Sequence, residues 1–157
     1  MPDTSVPLKQ RLRTDLTAAM RSRDKVRSGT IRMVIAAISE AEVAGKVARE
    51  LTDEQVLDVV VREARKRREA QEAYAAAGRP ELAEKEQAEA AVLSDYLPQA
   101  MTAEEISAVV RDAISRSGAA ELGMKGMGTV MGLVTPQTKG RADGGAVAAE
   151  VRRQLAG

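Results

Sequence analysis

Apolar residues recur at steps of three and four through nearly the whole chain, and no segment alternates at steps of two. Leu8, Leu12, Leu16 and Met20 form one stripe; Ile31, Val34, Ile35 and Ile38 form another. A 3.6-residue period gathers such positions on one face of an α-helix, whereas a half-buried strand needs alternation. The chain therefore reads as all-α, a set of helical bundles. Local punctuation marks the elements. A first helix opens at Pro7 and a second ends near Gly45. Thr52-Asp53-Glu54-Gln55 is a capping box, in which the Thr and Gln side chains satisfy each other's backbone amides. It starts a third helix, with Leu57, Val60, Val61 and Ala64 on one face, that runs to about Ala77 and stops at Gly78. Pro80 opens a fourth, with Leu82, Val92, Leu93 and Tyr96 as its buried positions.

Leu97-Pro98-Gln99-Ala100-Met101 interrupts the pattern, because a residue before proline is pushed out of the helical region. We place a domain boundary there: an N-terminal four-helix domain over 1–97 and a smaller three-helix domain over 98–157. A second capping box, Thr102-Ala103-Glu104-Glu105, begins a helix with Ile106, Val109, Val110, Ala113 and Ile114, ended by Ser117-Gly118. Met124, Met127, Val130, Met131 and Val134 mark a shorter core helix closed by Pro136. Asp143 caps the last, whose stripe is Val147, Val151 and Leu155.

Composition narrows the chemistry. The chain has no His and no Cys, which removes the commonest general base, thiol nucleophiles, disulfides and the usual zinc ligands. We therefore expect no catalytic residues, no metal and no cofactor. It has no Phe or Trp, so its core is built from Leu, Ile, Val, Met and Ala, and it lacks the stacking platforms of single-strand binders. Met1-Pro2-Asp3-Thr4-Ser5 carries no export signal and no apolar run approaches about 18 residues, so we expect a cytoplasmic protein without a membrane span. Charge is segregated: residues 1–32 hold eight cations against three acids, residues 81–105 seven acids against one cation, and residues 122–157 five cations against two acids. Basic ends suit nucleic acid, and equally suit the acidic middle.

The densest local signal is Gly126-Met127-Gly128-Thr129-Val130-Met131-Gly132, followed by Pro136-Gln137-Thr138-Lys139-Gly140-Arg141-Ala142-Asp143-Gly144-Gly145. Two readings compete. Gly128 and Gly132, one turn apart, let helices approach closely; or the segment meets phosphate through helix-start amides, with Lys125, Lys139 and Arg141 beside them. For Lys139 and Arg141 the phosphate reading is the stronger, while Asp143 is an N-cap. Arg65-Lys66-Arg67-Arg68 lies among Glu63, Glu69 and Glu72 and reads as a solvated face laced with ion pairs rather than a nucleic-acid stripe. Arg13, Arg21, Arg23, Lys25 and Arg27 are less well neutralised and form a second candidate RNA surface, or a partner for the acidic fourth helix. Glu81, Glu84, Glu86 and Glu89 are read as pairing groups, with Glu86 matched to Arg79 or a neighbouring cation, rather than as a metal or acid–base site.

Several signatures in order carry a resemblance: Thr30-Ile31-Arg32-Met33, Tyr74-Ala75-Ala76-Ala77-Gly78-Arg79 with Leu82 and Glu86, Tyr96-Leu97-Pro98, and the segment ending Lys139-Gly140-Arg141-Ala142-Asp143-Gly144. Over nearly its whole length the chain resembles the GatB/YqeY family, stand-alone proteins related to the C-terminal part of the tRNA-dependent amidotransferase B subunit. The resemblance implies a helical N-terminal domain, a three-helix C-terminal domain and contact with tRNA. The amide-transfer chemistry of that enzyme sits in a domain with no counterpart here. The resemblance leads one to expect lysine where Thr129 and Gln137 stand, which removes two phosphate contacts. The expected function is a non-catalytic tRNA-binding or tRNA-associated module contacting RNA through Lys125, Gly128, Lys139, Gly140, Arg141 and Gly144. The alternatives are amide transfer with glutamine as donor, a carbon–nitrogen ligation, and a protein-interaction module.

Overall fold

The structure, a computed structural model, describes residues 5–157; the start of the export-signal reading, residues 1–4, lies outside them. All regular elements among the described residues are helical. The chain divides into two compact units between Leu97 and Pro98.

The first unit contains α1 (Leu8–Arg21), α2 (Lys25–Val43), α3 (Asp53–Ala76) and α4 (Pro80–Ser94). Thr52 and Gln55 form both bonds of the expected capping box, and Pro80 is the first residue of α4. Leu12, Ile31, Val34, Ile38, Val56, Val60 and Leu93 are fully enclosed, and Val92 and Tyr96 close the core from α4 and its end. The start of the unit is laced by polar contacts. The Leu8 amide donates to Asp53 Oδ1 at 3.1 Å. Glu42 accepts from Lys9 Nζ at 2.8 Å and from the Leu51 amide at 3.1 Å, holding the α2–α3 connection. Lys9 and that amide hold the Glu42 carboxyl below the usual carboxylate range.

The inward faces differ from the sequence reading in instructive places. Residues spaced by four advance about 400°, so each step drifts about 40° around the helix. By the fourth position the drift has carried Met20 into solvent, 52% exposed, and Ala19 takes the core position. On α3 the buried stripe is Val56, Val59, Val60, Glu63, Ala64 and Arg67, with Leu57 and Val61 at its margin. Arg67 is thus not part of a solvated face. It bonds to Glu63 Oε2, its Nε faces Glu89 Oε2 of α4 at 3.4 Å, and its Nη2 reaches Met33 Sδ of α2 at 3.3 Å. The rest of the basic run is outward, as read: Arg65 pairs with Glu69 at 3.3 Å. Arg79 pairs with Glu81 rather than Glu86.

The second unit contains α5 (Ala103–Ser117), a 3-10 segment over Ala119–Gly126, α6 (Met127–Thr138) and α7 (Gly144–Ala156). Thr102 and Glu105 complete the second capping box, and Gly118, at φ 68°, ends α5 in a left-handed turn that glycine adopts without strain. Val110, Ala113, Ala119, Val130, Val134, Val147, Val151 and Leu155 form its core. Met127 and Met131 pack at the edge, but Met124, expected inside, is 49% exposed in the 3-10 segment. Pro136 does not close α6; the helix continues to Thr138. The residue four before the proline is Gly132 on the exposed face, so the carbonyl that loses its amide partner is not enclosed.

Candidate nucleic-acid interface

Glycine in α6 does not serve helix packing. Gly128 and Gly132 are exposed, and a Cβ on either would meet no atom within 4 Å. The close approach falls instead on Gly126, where a Cβ would lie 2.8 Å from the Ala119 Cβ. The spacing that suggested packing is real, but the inward face of α6 belongs to Val130 and Val134.

The expected contact residues separate into two groups. Lys125 and Gly128 lie at the start of α6, both exposed, whereas Lys139, Gly140, Arg141 and Gly144 lie in or just past the α6–α7 loop. The 12 residues of α6 span about 18 Å between them. One phosphate cannot bridge that distance, although one polynucleotide can.

The loop is held by hydrogen bonds. Gly140 has φ 73°, and the Arg141 and Ala142 amides both donate to the Thr138 carbonyl at 2.9 Å. Arg141 is also a tether: its carbonyl accepts from the Met101 amide at 2.8 Å, and its Nε donates to the Gln99 carbonyl at 3.1 Å. Its Nη2 lies 3.9 Å from Glu105. Arg141 therefore holds residues 99–105 against the loop while leaving part of its guanidinium accessible. Lys139 is exposed and stands at the C-terminal end of α6, where the helix dipole favours a cation.

Asp143 caps α7, accepting from the Ala146 amide at 3.1 Å. That narrows the phosphate reading. A helix start is attractive to anions through its free amides, but here one amide is taken and a carboxylate stands among the rest. Any phosphate contact at this loop belongs to the Lys139 and Arg141 side chains rather than to the α7 backbone.

A second basic region lies where α1 turns into α2. Arg27 bonds to Asp95 Oδ2 at 2.9 Å and lies 3.8 Å from Asp24, and Arg11 stacks over the Tyr96 ring at 5.4 Å. Part of this charge thus goes to Asp95 at the end of α4, one of the two uses the sequence left open. The Tyr96 hydroxyl donates to Asp15 at 2.5 Å; burial, and then that bond, push its pKa up. These groups line an open cleft of about 450 Å³ whose charges are largely paired with one another. Arg21, Arg23 and Lys25 are exposed beside it. A second cleft, about 430 Å³, lies between α5 and α7 and includes Arg111, Glu150 and Arg153. Among the described residues no three acidic side chains gather closely enough to hold a metal ion, and no helix is long and apolar enough to cross a membrane.

Comparison with known proteins agrees with the signatures. The family model described as Yqey-like protein matches residues 9–155. A relative from Pyrenophora tritici-repentis, named Altered inheritance of mitochondria protein 41, mitochondrial, is 36% identical over 135 residues, covering 84% of this chain and 71% of its own length.

Proposed function

The chain belongs to the YqeY-like family, and from that membership and the charge of its loops we propose that it is a non-catalytic, tRNA-associated helical module. The α6–α7 loop is its proposed contact, with Lys139, Gly140 and Arg141 meeting phosphates and Lys125, Gly128 and Gly144 flanking them. The observation that carries the reading is that loop: Gly140 turns the chain in a left-handed conformation between two cations, and four backbone or side-chain bonds keep it in place. A loop held in place, with Lys139 exposed and part of the Arg141 guanidinium accessible, suits a polyanion, because little backbone freedom is lost on binding. The absence of His and Cys from the sequence supports a binding role over amide transfer. We place the protein in the cytoplasm as part of the same reading.

A titration of tRNA into the full chain at low salt tests it. Lys139→Ala should weaken binding uniformly across tRNA species and reduce the log–log salt slope by about 1. Arg141→Gln should reduce the slope by a similar amount and is a better second variant than alanine, since it removes the charge while keeping a side-chain N–H where Nε donates to the Gln99 carbonyl. Unchanged affinity and slope in both variants would remove the loop from the interface.

A further inference from the structure

Helix ends in this chain repeatedly use a left-handed residue, and three of the four between helices are glycine: Gly78 at φ 71°, Gly118 at φ 68° and Gly140 at φ 73°. The fourth, between α1 and α2, is Arg23 at φ 59°. A residue with a Cβ is strained there, and arginine lacks the short polar group that lets Asn or Asp tolerate it. Glycine would adopt this conformation without that strain.

The turn is not loose. The Ser22, Arg23 and Asp24 amides donate to the carbonyls of Ala18, Met20 and Ala19, and Asp24 caps α2 by accepting from the Arg27 amide at 3.0 Å. The strained residue is therefore held in place with its side chain in solvent. No hydrogen bond or ion pair is formed by the Arg21, Arg23 or Lys25 side chains among the described residues. The one acid inside the turn, Asp24, is committed to capping and to Arg27. Three cations at alternate positions around a fixed elbow, one of them kept at a cost to the fold, thus have no ionic partner among the described residues.

We propose that the α1–α2 elbow is a second polyanion-binding site, in which Arg21, Arg23 and Lys25 contact the phosphate backbone of RNA. The inference rests on the tRNA reading above and adds a contact in the first unit, apart from the α6–α7 loop. Recognition is of backbone rather than base, since the elbow offers guanidinium and ammonium groups and no aromatic surface. Met20 and Val26, 52% and 47% exposed, flank the cations, so an anionic lipid surface is the competitor to be tested.

Three forms of the full chain decide the matter: wild type, Arg23→Gly, and the triple variant Arg21→Gln/Arg23→Gly/Lys25→Gln. Bulk tRNA is titrated at several salt concentrations, and thermal melting is recorded for each. Arg23→Gly should melt higher than wild type while its salt slope falls by about 1; the triple variant should lose about 3 in slope and at least ~10-fold in affinity at 50 mM salt. A triple variant that binds tRNA like wild type overturns the elbow site and leaves the loop reading standing. A wild type that does not bind overturns both. Retained tRNA binding with lost binding to phosphatidylglycerol vesicles would overturn the proposal in favour of a lipid surface.

Discussion

Replacing Arg67 by methionine keeps an unbranched side chain of similar length and removes one charge. In the native unit the Arg67 side chain is 5% exposed, and its two carboxylate neighbours, Glu63 and Glu89, are 9% and 14% exposed. Two opposite charges about 4 Å apart near a protein surface attract by about 4 kcal/mol, much of which offsets the cost of dehydrating them. The native pairing therefore adds little net stability, but its rupture leaves the enclosed Glu89 carboxylate without the cation it faces and Glu63 with only Lys66. Arg67→Met should cost about 3–5 kcal/mol, a fall in melting temperature of at least ~12 °C for a unit of this size. Arg65→Ala, whose side chain is 64% exposed, should stay within ~0.5 kcal/mol of wild type. The triple replacement Glu63→Leu/Arg67→Met/Glu89→Leu should recover most of the loss. Urea unfolding and thermal melting of the three variants at pH 7 measure all of this, and an Arg67→Met protein as stable as Arg65→Ala would show that the charges are not enclosed.

Other outcomes follow from single positions. Gly126→Ala should destabilise by about 1–3 kcal/mol, since the new methyl must displace Ala119. Gly132→Ala should stabilise by about 0.5–1 kcal/mol, because that helical position is open; calorimetry of both reads the sign. Arg23→Gly should stabilise by about 0.5–1 kcal/mol, the strain relieved less the extra freedom of an unfolded glycine. The Arg153 guanidinium, with Gln154 second, holds the Glu150 carboxyl at about 2. A depressed carboxylate contributes stability above its unfolded pKa, about 4.3, and loses it as pH falls through the folded value. Wild type should therefore lose more stability than Glu150→Gln between pH 4.5 and 2, and a carboxyl carbon titration of Glu150 with an ordinary midpoint would contradict the pairing.

Helix ends were the most legible part of the sequence, because a cap is a local event. Thr52 with Gln55, Thr102 with Glu105, Asp143, Gly78 and Gly118 need only their own neighbours to be recognised, and all five do what their residue types suggest. Faces were less legible, because they depend on what packs against them. Glu63 and Arg67 have the i,i+4 spacing of an exposed pair, and only the approach of Glu89 and Met33 from other helices turns them inward. Gly128 and Gly132 have the spacing of a packing seam, yet a Cβ on either would meet no atom of the described residues within 4 Å. Among the proposed contact residues, the turn at Gly140 was readable from its residue type, whereas the tether from Arg141 to Gln99 joins residues 42 apart. Arg23 was visible as one cation among several; its strained backbone was not, since arginine gives no signal for a left-handed turn.

The central claim is that this module meets tRNA through phosphate contacts, and the salt dependence of wild-type binding tests it most directly. Titrations between 50 and 200 mM salt should give a linear log–log plot with a slope of several units, and an affinity that falls by at least ~10-fold across the range. Absence of binding at 50 mM salt, or a binding constant indifferent to salt, would contradict the account.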